Sequence, residues 1–84
     1  VDYFELVLNK LFEFLCQTKS RKDELRKICP SLVDDFEKWT RDYFGMELNC
    51  KSITDGEYIQ AVIYYIAGMT DNYAIEMYNK IISF

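Results

Sequence analysis

Apolar residues recur at helical spacing along most of the chain, and the intervals between these runs are polar or hold a helix breaker. Phe4, Val7, Leu8, Leu11, Phe14 and Leu15 follow the i, i+3, i+4 rule, with Asp2, Glu5, Asn9, Lys10, Glu13 and Gln17 on the other face. The spacing predicts a helix over 2–17. Tyr3, Leu6, Phe12 and Cys16 widen its apolar stripe beyond that of a simple surface helix. The stretch 18–22 is polar. Ser20 is placed to cap a short second helix, 21–29, whose apolar side is Leu25, Ile28 and Cys29. Pro30 cannot continue that helix but suits the first turn of another. In the third helix, 31–44, Leu32, Phe36, Trp39 and Tyr43 share a face that Val33, Thr40 and Phe44 broaden. Asp34 and Asp35 read as first-turn acids favoured by the helix dipole. Gly45 is placed to end the helix, and 45–53 reads as irregular.

Thr54-Asp55-Gly56-Glu57 has the capping-box pattern, in which the Thr and Glu side chains satisfy each other's backbone donors. The run 58–67 that follows is almost wholly apolar. Its β-branched and aromatic residues over 62–66 would also suit a strand. The capping box, Ala61, Ala67 and the lack of any second strand to pair with favour a helix. A helix apolar all round is expected to be buried on several sides. Gly68 breaks the run, and Thr70 reads as the N-cap of a fifth helix with Asp71 in its first turn. Ala74, Met77, Tyr78, Ile81 and Ile82 form that helix's stripe. The expectation is an all-α fold: one domain over 1–84, a compact bundle of about five helices with no sheet.

Composition sharpens this picture. A chain of 84 residues buries only about 60% of the surface that its unfolded form exposes. Six Phe, seven Tyr and one Trp are more than such a core is expected to hold, so apolar surface should remain for docking on another domain or subunit. There is no His, which removes the commonest general base and metal ligand. Ser31 and Ser52 therefore have no triad partner. The formal net charge of −4 argues against nucleic acid as a partner. No apolar run approaches the roughly 18 residues of a membrane span, and no signal-peptide pattern opens the chain. Cys16, Cys29 and Cys50 form no CxxC pair and read as reduced thiols of a cytoplasmic protein. The start at Val1, without an initiator Met, suggests a piece of a longer protein.

Paired carboxylates can run acid–base chemistry or hold a hard cation. Asp34, Asp35 and Glu37, and Asp55 with Glu57, are the densest groups, but both lie at helix starts, where capping and dipole effects account for them. Lys19-Ser20-Arg21-Lys22 reads as a solvated basic turn. No P-loop, EF-hand loop or dinucleotide turn is present. Catalytic, cofactor-binding and metal-ligating residues are accordingly assigned to none of this chain.

One segment is more specific. Tyr65-Ile66-Ala67-Gly68-Met69-Thr70-Asp71-Asn72-Tyr73-Ala74 packs a helix end, a Gly break, an N-cap and a helix restart into ten residues. Ala67 and Gly68 are expected to let two backbones approach closely, Met69 to fill an irregular gap, and Tyr65 and Tyr73 to bring rings with polar tips. This segment resembles the signature near the C-terminus of deoxyguanosinetriphosphate triphosphohydrolase-like proteins of the HD superfamily. Tyr65, Ile66, Ala67, Gly68, Met69, Thr70, Asp71, Tyr73 and Ala74 match that pattern. Tyr64 stands where the family commonly has Asp, and Asn72 where it commonly has Arg.

The resemblance implies a bacterial, metal-dependent dNTP (dGTP) triphosphohydrolase as the parent, with a divalent metal held by His and Asp ligands of an HD domain outside this chain. This chain would then be the non-catalytic C-terminal phosphohydrolase-associated domain. It would pack on the HD domain, form one wall of the substrate cleft, or contribute to a homo-oligomer interface. The alternative is a free-standing helical interaction or oligomerisation module that shares only the corner motif.

Overall fold

The computed structural model describes residues 2–44 and 54–83. The irregular segment expected at 45–53, with Gly45, Met46, Leu48 and Cys50, lies outside the described residues. Among those described, the chain forms five α-helices and no strand: α1 (Tyr3–Cys16), α2 (Thr18–Ile28), α3 (Pro30–Phe44), α4 (Asp55–Ala67) and α5 (Asp71–Ile82). None is long and apolar enough to cross a membrane.

Helix α1 is the hub and packs against α2, α4 and α5, while α3 closes the bundle against α2 and α4. Asp2 opens α1 by accepting a hydrogen bond from the Phe4 backbone N–H at 3.2 Å. Val7, Leu11, Phe14 and Leu15 then point inward, as their spacing requires. They meet Leu25 and Cys29 at the end of α2, Leu32, Val33 and Phe36 of α3, Tyr58 and Val62 of α4, and Ala74, Met77 and Ile81 of α5. The run 62–66, whose residues would also suit a strand, is helical as expected. The capping box begins it, with the Glu57 backbone N–H 3.2 Å from Thr54 Oγ1 and the Thr54 N–H 3.4 Å from Glu57 Oε1.

Three local expectations are corrected. Helix α2 starts at Thr18, so Ser20 lies inside it rather than capping it. The expected boundary survives as a kink, since Arg21 has non-helical angles (φ −130°, ψ 35°). The supposed solvated turn 19–22 is a helix surface with paired charges: Lys19 with Asp55 at 2.6 Å, Arg21 with Glu24 at 2.8 Å, and Lys22 with Glu37 at 2.6 Å. Helix α3 starts one residue earlier than expected, with Pro30 as its first residue, which suits proline's fixed φ and missing N–H. Asp34 and Asp35 therefore fall in its second turn, beyond the strongest dipole effect.

The third correction concerns α4. An all-apolar helix should be covered on several sides, yet only Tyr58, Ala61 and Val62 are buried. Ile59, Ile63 and Tyr64 are exposed. Leu6, Tyr43 and Ile82 are exposed as well, Tyr43 to 75% although its spacing placed it on the buried face of α3. The expected surplus of apolar surface is present. Five short helices offer too few neighbours to cover every apolar position, and among the described residues α4 carries the largest share of the shortfall.

Candidate functional site

The ten-residue segment becomes the corner where α4 ends and α5 begins, and α3 packs beside it. Gly68 closes α4 with its backbone N–H directed at the Tyr64 and Tyr65 carbonyls, both at 3.2 Å. Thr70 then caps α5, its hydroxyl accepting from the Tyr73 N–H at 3.2 Å. The corner sorts its residues by depth. Ala74 is buried in the core, Tyr65, Ile66, Met69 and Tyr73 are half-buried against it, and Ala67, Gly68, Thr70 and Asp71 are exposed. Asn72 and Tyr64, the two positions that depart from the family pattern, also face outward.

Gly68 and Ala67 do not serve the close backbone approach expected of them. A Cβ built on Gly68 meets nothing nearer than the Tyr64 and Tyr65 carbonyl oxygens at 3.7 Å, which is ordinary contact within its own helix. Its φ of −89° is open to any residue. Among the described residues no other helix comes within 4 Å of the Gly68 Cβ position, and Ala67 and Gly68 are both exposed.

What the corner does assemble is a polar chain beside an aromatic cluster. The Tyr73 hydroxyl donates to Asp35 Oδ2 at 2.9 Å and lies 3.2 Å from the Tyr65 hydroxyl. A phenol has one proton. With Tyr73's given to Asp35, Tyr65 is the donor to Tyr73, and the order runs Tyr65, Tyr73, Asp35. Burial pushes the Tyr73 phenol well above its ordinary range, and its neighbours Tyr65 and Asp35 push in the same direction. Burial also raises Tyr65. Both phenols are therefore neutral hydrogen-bond groups over the physiological range. The Tyr65 ring lies 5.1 Å from Phe36 and 5.2 Å from Trp39, tilted by 54° and 56°. Trp39, Tyr65, Gly68, Met69, Thr70 and Tyr73 line an open pocket of about 300 Å³.

Asp35 and Trp39 had been read only as a dipole-compensating acid and a core residue. Both lie on α3, far from the corner in sequence. The i, i+4 spacing from Asp35 to Trp39 places both on one side of α3, but nothing local says that α5 would bring Tyr73 to meet them.

The other acidic residues are engaged as structure. Glu37 pairs with Lys22 at 2.6 Å and with Arg41 and Arg26 at 3.4 and 3.5 Å. The Lys22 hydrogen bond holds its carboxyl below the usual range. Asp34 lies 2.9 Å from Arg26 Nε, an ion pair without hydrogen-bond alignment. Asp55 pairs with Lys19 and Glu57 completes the cap. Among the described residues no three His, Cys, Asp or Glu side chains gather as a metal-ligand set. Cys16 and Cys29 are free thiols, and burial pushes the Cys16 thiol up, away from the reactive thiolate.

A further buried polar pair was not anticipated. Thr18 is fully buried and gives its hydroxyl proton to the Leu15 carbonyl at 2.6 Å. Tyr58, 2% exposed, therefore donates its own hydroxyl to Thr18 Oγ1. Burial lifts the Tyr58 phenol to about 12. The pair ties the start of α2 to α4. Thr18 gave no sequence signal, since it stands in a polar stretch.

The model of the phosphohydrolase-associated domain matches residues 16–80, which span α2, α3, α4 and most of α5. No curated protein and no solved structure matches the chain.

Proposed function

The chain belongs to the phosphohydrolase-associated domain family, accessory domains of HD phosphohydrolases, and on that footing we propose that it is the non-catalytic C-terminal domain of an HD-type dNTP triphosphohydrolase. The family match over 16–80 carries this reading. The resemblance of 65–74 to the dGTP triphosphohydrolase signature supports a deoxynucleoside triphosphate as the parent's substrate. The parent is a bacterial, cytoplasmic enzyme, and its divalent metal and its chemistry belong to the HD domain. This chain packs against that domain or joins an oligomer interface. Uncovered apolar side chains on α1, α4 and α5, namely Leu6, Ile59, Ile63, Tyr64 and Ile82, support a docking role.

The test is reconstitution. The chain is produced as a separate polypeptide together with the HD domain encoded in the same gene. The two should co-purify, and dNTP hydrolysis with Mg²⁺ or Mn²⁺ should require the HD half. Turnover by the pure 84-residue chain would overturn the reading, as would a parent gene without an HD ligand set.

A further inference from the structure

Helix α4 carries a seam of apolar positions along its outer side. Gly56, Ile59, Ile63 and Ile66 are spaced by three, four and three residues, the a and d spacing of a coiled coil. Gly56, Ile59 and Ile63 are exposed and Ile66 is half-buried, while Tyr58, Ala61 and Val62 fill the core. Gln60, Tyr64 and Ala67 flank the seam, so this face of α4 is uncharged. The two acids of the first turn are engaged, Asp55 by Lys19 at 2.6 Å and Glu57 by the cap.

Gly56 is the informative member. A glycine within a helix costs stability. Its backbone is helical, and among the described residues nothing comes within 4 Å of a Cβ built on it. Neither conformation nor space among those residues demands glycine there. A missing side chain does leave room for another helix to approach.

The seam is also symmetric about position 61. Against an antiparallel copy of α4, Ile59 of each chain faces Ile63 of the other, and Gly56 of each faces Ile66 of the other. Two isoleucine layers then lie at the centre, and at each end a large side chain enters the space over a glycine. A two-fold contact must be complementary to itself, and this register is. An uncharged seam also adds nothing to the repulsion between chains of net charge −4.

We propose that a second copy of this chain pairs with it through α4, antiparallel and two-fold symmetric. The pairing rests on the docking role proposed above and names the occupant of one face. With 13 residues, α4 offers a contact about 20 Å long and about 10 Å wide. That is well under the roughly 800 Å² per partner of a standard interface, so the dimer belongs to the weak class.

Sedimentation equilibrium of the purified chain, carried up to roughly 1 mM as a weak contact requires, should show a monomer–dimer equilibrium. Ile63→Lys should weaken it by about tenfold or more, since each dimer loses two buried isoleucines. Gly56→Leu should weaken it as well, yet keep or raise the melting temperature, because leucine is the better helix former. That opposite movement separates a contact between chains from a loss of fold. Ile82→Lys is the control: Ile82 lines a groove with Leu6 and Tyr78 between α1 and α5, which among the described residues no α4 side chain lines, and the change should leave the dimer intact. Circular dichroism checks that the variants are folded. A monomer at every concentration would overturn the pairing and leave association with the HD domain standing. A dimer that survives Ile63→Lys or Gly56→Leu, or one that is lost with Ile82→Lys, would overturn it too.

Discussion

The buried Tyr58–Thr18 pair joins residues 40 positions apart, and its contribution can be isolated by a double-mutant cycle. Tyr58→Phe removes one hydroxyl and leaves the Thr18 oxygen short of a donor, although Thr18 still reaches the Leu15 carbonyl. A net loss of about 1–2 kcal/mol is expected. Thr18→Val preserves the side-chain shape but leaves the Tyr58 hydroxyl, 2% exposed, without a partner and also loses the Leu15 bond. That costs about 1–3 kcal/mol. The double variant strands no phenol and no threonine acceptor, so its cost should fall short of the sum by about 1–2 kcal/mol. Urea unfolding followed by circular dichroism and by Trp39 fluorescence measures all three. In a chain of this size each kcal/mol should also move Tm by about 4–8 °C. If the double variant equals the sum of the singles within about 0.5 kcal/mol, the two hydroxyls are not coupled and the assigned donor order carries no energy.

Two other outcomes follow from the geometry. Gly68→Ala should leave Tm unchanged or raise it, by up to about 1 kcal/mol in stability, because Ala fits the backbone there and restricts the unfolded chain; a loss above about 1 kcal/mol would mean that α4 is packed there after all. Tyr58, Tyr65 and Tyr73 are all held above the ordinary phenol range. Because the folded state binds these protons more tightly, their contribution is complete below about pH 10 and is lost as pH rises, for Tyr58 through about 12. Part of the tyrosinate absorbance at 295 nm should therefore be delayed beyond about pH 10 and arrive with unfolding. A single early phase for all seven tyrosines would refute the assigned burial.

The helix frame was legible because each signal was local. The Thr54–Glu57 box, Thr70, Pro30 and the apolar periodicity act within one or two turns, and each appears where its residues stand. The boundary of α2 was misplaced because Gln17 both closes α1 and opens α2 with no side-chain cap. The cue for the junction is Thr18, and it shows only once Tyr58 is beside it. The corner was legible as a corner but not as a site. Tyr65 and Tyr73 were singled out for their polar tips, and they do meet. Asp35 and Trp39, which complete the cluster, come from another helix.

By itself the sequence determined five helices, their caps, an all-α class, a surplus of apolar side chains and a family resemblance centred on 65–74. Periodicity and capping are properties of neighbours in the chain, so folding leaves them as they were. Only the tertiary structure decided which apolar faces lack cover and that Gly68 has room for a side chain. It also decided that Asp34 and Glu37 meet cations while Asp35 meets Tyr73. Those outcomes depend on which helix faces which, and residues 30 or 40 positions apart carry no mark of the partner that packing will bring them.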